Sequence, residues 1–281
     1  MTTFTTSDGV ELCYHDSGGD GFPLILLHGW SQTQAMFKYQ YEAFAARHRV
    51  ITIDQRGHGT SAKPHHGYRI ARLAQDLAEF ADHLRLGSFD LLGWSMGASV
   101  AWSFIDHFGT SRIRSLVLVD QAPTITAVPW LTKEERDEAG ATSDPVTVAE
   151  LAARLAAPDG PEFARSFERT MFAGDVDPGL WEFIVAEIAT VPSYASVPLL
   201  YDHSAQDWRD VLPRIDVPTL VIGCEGSHVP PGSQRYVARS IPGAQVEVFP
   251  RAVASSHFPF LQNPAAFNLR VEKFLAEQPA P

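Results

Sequence analysis

The sequence predicts an α/β protein, a mostly parallel, doubly wound sheet carrying a helical insertion, and three observations lead there. Runs such as "PLILLHG" (23–29) and "IRSLVLVDQ" (113–121) are almost continuously apolar, as strands buried on both faces must be. Helical stretches separate such runs. The clearest is "RIARLAQDLAEFADHLRL" (69–86), where Ile70, Leu73, Leu77, Phe80, Ala81 and Leu84 recur at three-and-four spacing. From Thr124 to Gln206 the alternation stops, and helix-like pieces follow one another without strands.

In chain order, "TFTTSDGVELCYHDSG" alternates around Asp8-Gly9 and predicts a hairpin. The strands "PLILLHG", "RVITIDQRG" (49–57), "FDLLGWS" (89–95) and "IRSLVLVDQ" follow. Helices are expected at 69–86 and in "ASVAWSFIDHF". The pieces "TKEERDEAG", "TVAELAARLAA", "EFARSFERTMFAG" and "LWEFIVAEIATV" predict a helical cap over the sheet's carboxyl edge, where open α/β sheets bind ligands. The sheet resumes at Val217 to Gly223 and ends with "AQVEVFP" (244–250). A core domain of 1–123 and 207–281 and a cap of 124–206 are the expected organisation, with "EQPAP" a frayed tail.

A chain of 281 residues that is 45% hydrophobic has enough apolar surface for one large core. Its net charge of −11 argues for solubility and against a nucleic-acid partner. Cys13 and Cys224 are far apart and form no metal-like spacing, so two buried thiols, no metal and no disulfide are expected. The N-terminal segment lacks a basic start followed by an apolar run. No stretch reaches the ~18 apolar residues of a membrane span. A soluble, cytoplasmic monomer or homodimer without a membrane partner is the expectation.

"GWSMG" (93–97) sits where a strand turns sharply into a helix. Such a turn exposes its central serine, and glycines two residues before and after remove Cβ atoms that would collide. A serine hydroxyl needs an adjacent base to act as a nucleophile. Among eleven histidines, His257 in "AVASSHFPF" follows the last strand and can reach over the sheet edge. His65, His66, His83 and His107 read as surface and His28 as a loop support, while the sequence does not establish whether His203 and His228 lie near the pocket.

With "HGW" after the third strand, "DQRGHGTS" after the fourth, the "GWSMG" turn and "SSHFPFLQNP" near the end, the chain resembles the α/β-hydrolase fold family along nearly its whole length. The resemblance implies Ser95 as nucleophile and His257 as base, with the backbone N–H groups of Trp30 and Met96 as an oxyanion hole and no cofactor. Trp30, Trp94, Phe37 and Phe258 are the expected substrate-binding side chains. Trp130, Met171, Phe172 and Trp181 are further candidates for an apolar pocket.

One feature departs from the family pattern. Most relatives carry an aspartate after the seventh strand in a run like G-x-x-D-x-x-x-P, and here "GCEGSHVPP" puts Gly226 at that place. Asp120, at the end of the sixth strand, is the preferred replacement and Glu225 the alternative; Asp54 reads as a structural turn residue. An acid on the sixth strand is similar to the arrangement in zearalenone-type lactone hydrolases and in cofactor-independent dioxygenases that open 3-hydroxy-4-oxoquinoline rings. The dioxygenases carry histidines beside their serine and at the position of Gln32, whereas this chain has Trp94, Met96 and Gln32. The expected activity is therefore hydrolysis of a carboxylic ester or lactone of a small apolar or aromatic substrate through an acyl-enzyme on Ser95, with perhydrolysis as a side activity. Ring-opening oxygenation with His257 as base is the alternative.

Overall fold

The computed structural model describes residues 2–279; Met1 and the last two residues of the closing "EQPAP" lie outside the described residues. β1 (Thr2–Thr5) and β2 (Glu11–Asp16) form the expected hairpin. It turns through Gly9 at φ 81°, a left-handed conformation that glycine adopts without strain. β3 (Phe22–Leu27), β4 (His48–Ile53), β5 (Phe89–Trp94), β6 (Ile113–Val119), β7 (Thr219–Cys224) and β8 (Gln245–Phe249) complete one eight-stranded sheet in the order β1-β2-β4-β3-β5-β6-β7-β8. Pairings from β4 to β8 are parallel, and the two involving β2 are antiparallel.

The chain runs from β3 outward to β4, then returns to the other side of β3 for β5. Such a reversal opens a crevice at the carboxyl ends of the strands. β4 stops at Ile53, earlier than its apolar pattern, because the next residue organises a turn. Asp54 accepts the Gln34 N–H on one carboxylate oxygen and the Thr60 N–H on the other, each at 2.9 Å.

Alternation along the strands builds two cores. α1 (Lys38–Phe44) and α11 (Pro264–Ala276) cover the face of Leu24, Leu26, Leu92 and Val117, while α2 (Ile70–His83) and α3 (Met96–Phe108) cover the face of Ile25, Leu27, Leu91 and Leu116. The apolar stripe of α2 puts Leu73, Leu77 and Phe80 inside, as its spacing predicts. α9 (Pro231–Ser240) and the short α10 (Pro259–Gln262) complete the flanking helices.

Between β6 and β7 the chain forms five helices, α4 (Lys133–Ala139), α5 (Pro145–Ala156), α6 (Gly160–Arg169), α7 (Pro178–Ile188) and α8 (Ser193–Ser204). Side chains of Thr132, Asp144 and Asp177 cap three of them by accepting otherwise orphaned N–H groups. The four sequence pieces correspond to the first four helices. α8 is additional, and Pro198 inside it disguises a helix because its ring removes one donor of the helical ladder. The stems are tied together, with Thr124 bridging to Asp207 and the Trp208 N–H donating to the Pro123 carbonyl at 2.8 Å. Cys13 and Cys224 are both buried and free. Among the described residues no single helix is long and apolar enough to cross a membrane.

Candidate active site

Ser95 lies at the junction of β5 and α3 with φ 53° and ψ −124°. That conformation costs a non-glycine residue ~1–3 kcal/mol and persists only where its surroundings enforce it. The enforcement is visible. The Ser95 N–H donates to the Val119 carbonyl at 2.9 Å, and the Ala98 N–H returns to the Ser95 carbonyl at 2.8 Å. A Cβ on Gly93 would stand 2.5 Å from the Gly97 carbonyl oxygen, and one on Gly97 would stand 2.3 Å from that of Leu27. Each glycine is therefore required by backbone pressed against it.

His257 Nδ1 is 2.7 Å from Asp120 Oδ2, with both side chains buried. Asp120 ends β6 in a left-handed conformation, φ 52°, and its N–H donates to the Ile222 carbonyl of β7 at 2.7 Å. The same carboxylate oxygen accepts the Ser227 hydroxyl at 2.5 Å. Burial pushes the Asp120 carboxyl up to about 7, against the Ser227 hydrogen bond and the nearby His228. Burial also lowers the His257 imidazole, so the ring is neutral at rest and free to accept a proton. Its other nitrogen makes no protein hydrogen bond among the described residues and opens on the cavity that Ser95 also lines. The Ser95 hydroxyl has not closed on the imidazole; such contacts often tighten only when substrate is bound.

Of the two acids left open by the sequence, only Asp120 meets His257. Glu225 is exposed and takes the Arg251 N–H at 3.4 Å. Gly226, at the family's usual acid position, admits no side chain, because a Cβ there would be 2.5 Å from the Ser255 carbonyl of the loop that carries His257.

The backbone N–H groups of Trp30 and Met96 have no protein acceptor among the described residues, and both residues are buried beside Ser95. Ser95, His257, Trp30 and Trp94 line a cavity of about 440 Å³ with Gln32, Gln121, Ile125, Leu151, Phe167, Met171 and Leu200. The Trp30 indole N–H donates to the Ser196 carbonyl of α8 at 2.7 Å. The Trp94 indole N–H donates to the His257 carbonyl at 2.8 Å, so Trp94 holds the histidine loop as well as lining the cavity. The loop is also tied to the insertion, its His257 N–H donating to the Met171 carbonyl at 3.2 Å.

Other sequence candidates lie elsewhere. Phe37 is fully buried against Phe260, ring centroids 5.3 Å apart, and does not line this cavity. Phe258 is likewise core, stacked on Phe172 at 4.8 Å and 8°. Its neighbour His257 points to the cavity, so an adjacent aromatic is turned into the packing beneath. Trp130 is 78% exposed, and Trp181 meets Phe172 edge-on outside the cavity. His65, His66, His83 and His107 are exposed. His28 and His58 are buried loop supports, accepting the Gln55 and Ser31 N–H groups at 3.0 and 3.2 Å. His228 lines the cavity with its ring 4.5 Å from that of His257. His203 lines it too, its pKa lowered to about 4 by burial and by the neighbouring His257.

Glu168 of α6 is a cavity residue that the sequence reading missed. It accepts the Gln32 amide at 2.5 Å, and burial pushes its carboxyl up to about 8. A signal existed. Phe163, Ala164, Phe167 and Met171 form an apolar stripe at helical spacing, and Glu168 falls within it. Among the described residues no group of three His, Cys, Asp or Glu side chains is placed to hold a metal ion.

The sequence pattern of the family described as alpha/beta hydrolase fold matches residues 23–264, and the chain belongs to that family. It is 30% identical over 281 residues to a non-heme chloroperoxidase of Streptomyces lividans, covering 94% of this chain and 97% of the relative. A 3-oxoadipate enol-lactonase of Acinetobacter baylyi is 27% identical, covering 95% and 94%. An esterase structure from Exiguobacterium antarcticum superposes with a TM-score of 0.88 at 27% identity, over 98% of this chain and 99% of that one. The protein is an enzyme of the α/β-hydrolase family with esterase, lactonase and haloperoxidase relatives.

Proposed function

We propose that the protein is a serine hydrolase that cleaves a carboxylic ester or lactone of a small, largely apolar substrate through an acyl-enzyme on Ser95. The observation that carries this reading is the buried His257–Asp120 pair at 2.7 Å, opening on the same cavity as the strained Ser95. Neutral His257 takes the Ser95 proton as the oxygen attacks the carbonyl carbon, and Asp120 stabilises the imidazolium that forms. The unspent N–H groups of Trp30 and Met96 receive the carbonyl oxygen as it becomes an oxyanion, each donor contributing ~3–4 kcal/mol. The proton then passes to the departing alkoxide. Water, activated by the same imidazole, releases the acid. Hydrogen peroxide in place of water would release a peracid, and the chloroperoxidase name of one relative favours this as a side activity.

The alternative, ring-opening oxygenation, draws no support from the esterase, lactonase and haloperoxidase relatives. Labelling with a neutral fluorophosphonate decides the matter. Ser95 is expected to be modified stoichiometrically and Ser95→Ala not at all. Failure of the folded protein to label would overturn the nucleophile, and oxygen uptake that survives Ser95→Ala but not His257→Ala would establish the oxygenase.

A further inference from the structure

Among the polar groups of the cavity wall that the hydrolytic groups do not use are Gln32 and Glu168, paired with each other. Both side chains line the cavity, and they are only 1% and 2% exposed. Gln32 Nε2 donates to Glu168 Oε1, the one hydrogen bond that carboxyl makes among the described residues. Gln32 Oε1 is sealed from solvent without a partner, and Glu168 Oε2 receives no protein donor. Glu168 Oε2 is therefore the unpartnered acceptor open to the cavity, beside a Gln32 amide that keeps a second N–H.

Among the described residues no cation answers that oxygen. Arg154 and Glu150 of α5 also line the cavity, but Arg154 lies 4.4 Å over the Phe163 ring and turns toward Asp159. On α6 itself, Arg165 is exposed and Arg169 donates to the Phe172 and Gly174 carbonyls. Glu187 of α7 accepts the Thr33 hydroxyl, and His203 of α8 is held neutral by burial. A carboxyl enclosed in this way must keep its proton or find a cation in a ligand.

We propose that Gln32 and Glu168 form a subsite for a protonated amine, so that the ester or lactone cleaved at Ser95 carries an amino group on an otherwise apolar body. The bond cleaved rests on the hydrolase reading; the amine subsite does not. An ammonium has three donors and no acceptor, which complements the free oxygen of a carboxylate that has no other cation. With the Glu168 carboxyl raised by burial to about 8, the empty site is protonated near neutral pH. An arriving ammonium displaces that proton to solvent, leaving an ion pair. Amine affinity then climbs with pH, by up to about tenfold per unit, until Glu168 is fully ionised.

Calorimetric titration of 4-phenylbutylamine and 4-phenylbutanol tests this, in buffers of different ionisation enthalpy from about pH 6 to about pH 9. The expected results are an amine preference of about tenfold or more above pH 8, proton release on amine binding at lower pH, and loss of both in Glu168→Gln. Equal binding of amine and alcohol by the wild-type protein would overturn the proposal, as would a Glu168→Gln variant that keeps the preference. Tighter binding of the alcohol, lost as Glu168 ionises, would make the carboxyl a neutral donor and also overturn it. The wild-type pH slope needs no variant to fold. Ser95 labelling in the same samples separates the two readings: lost labelling with an intact amine preference defeats the hydrolase and spares the subsite, and the converse defeats only the subsite.

Discussion

Two buried carboxyls serve one cavity, Asp120 from behind His257 and Glu168 in the wall itself, and they come from different parts of the molecule. Asp120 stands at a strand end, where β6 is paired on both sides and its own N–H is held by β7. It finds two donors in the protein, His257 and Ser227. Glu168 hangs from a helix of the insertion and finds only the Gln32 amide. Burial raises both, but the core gives its carboxyl an imidazole and a hydroxyl as partners, whereas the insertion gives its carboxyl one amide. On the proposed reading, the chemistry would rest on the core and the selection on the insertion.

The sharpest way to break this contrast is at Asp120. Asp120→Asn should lower kcat by ~10⁴, the size of effect seen when a triad acid is neutralised in other serine enzymes. Glu225→Gln should stay within about twofold, since an exposed carboxylate contributes little. Steady-state kinetics on an activated ester checks both, and a comparable loss at Glu225 would reassign the acid.

Glu168 should instead write itself into stability. Its proton is held from the ordinary 4.5 up to about 8 in the folded chain, so the native state binds more protons than the unfolded one across that window. Stability therefore falls as pH rises between those values and levels off above them. Glu168→Gln should remove this slope and be the more stable protein at alkaline pH, by on the order of 5 kcal/mol. Thermal melts at about pH 5 and about pH 8.5 read the difference, and parallel shifts of the two proteins would show that Glu168 does not titrate as described.

The smallest effect is expected where the two sides meet. Trp94→Phe keeps the ring against Phe258 but removes the donor to the His257 carbonyl, at a cost of ~1–3 kcal/mol for a buried acceptor left unpaired. Because Trp94 acts through the position of His257, kcat should drop about tenfold while KM stays near its wild-type value. An unchanged kcat with a raised KM would make Trp94 a binding residue only.

The strands were legible because a parallel sheet buried on both faces demands unbroken apolar runs, and "GWSMG" was legible because its glycines answer a local collision. The acid was not legible between Asp120 and Glu225. That choice depends on how the His257 loop lies over β7, a tertiary contact that closes Gly226 to any side chain. α8 was hidden by Pro198, and Glu168 by its single charge among apolar neighbours. Phe258 adjoins His257, which lines the cavity, and Phe37 follows the segment of Trp30 and Gln32, yet both side chains pack into the core, which the sequence does not reveal.

The tied stems of the insertion have a consequence of their own. Thr124 and Asp207 bring the chain back to where it left, so everything between them is, to the sheet, a loop with its ends already joined. Closing a loop twice as long costs only about 0.6 kcal/mol more. The segment that carries Glu168 can thus be lengthened or shortened at small entropic cost, and a graft made between these two residues would have to keep the Met171 and Ser196 carbonyls that hold the His257 loop and Trp30.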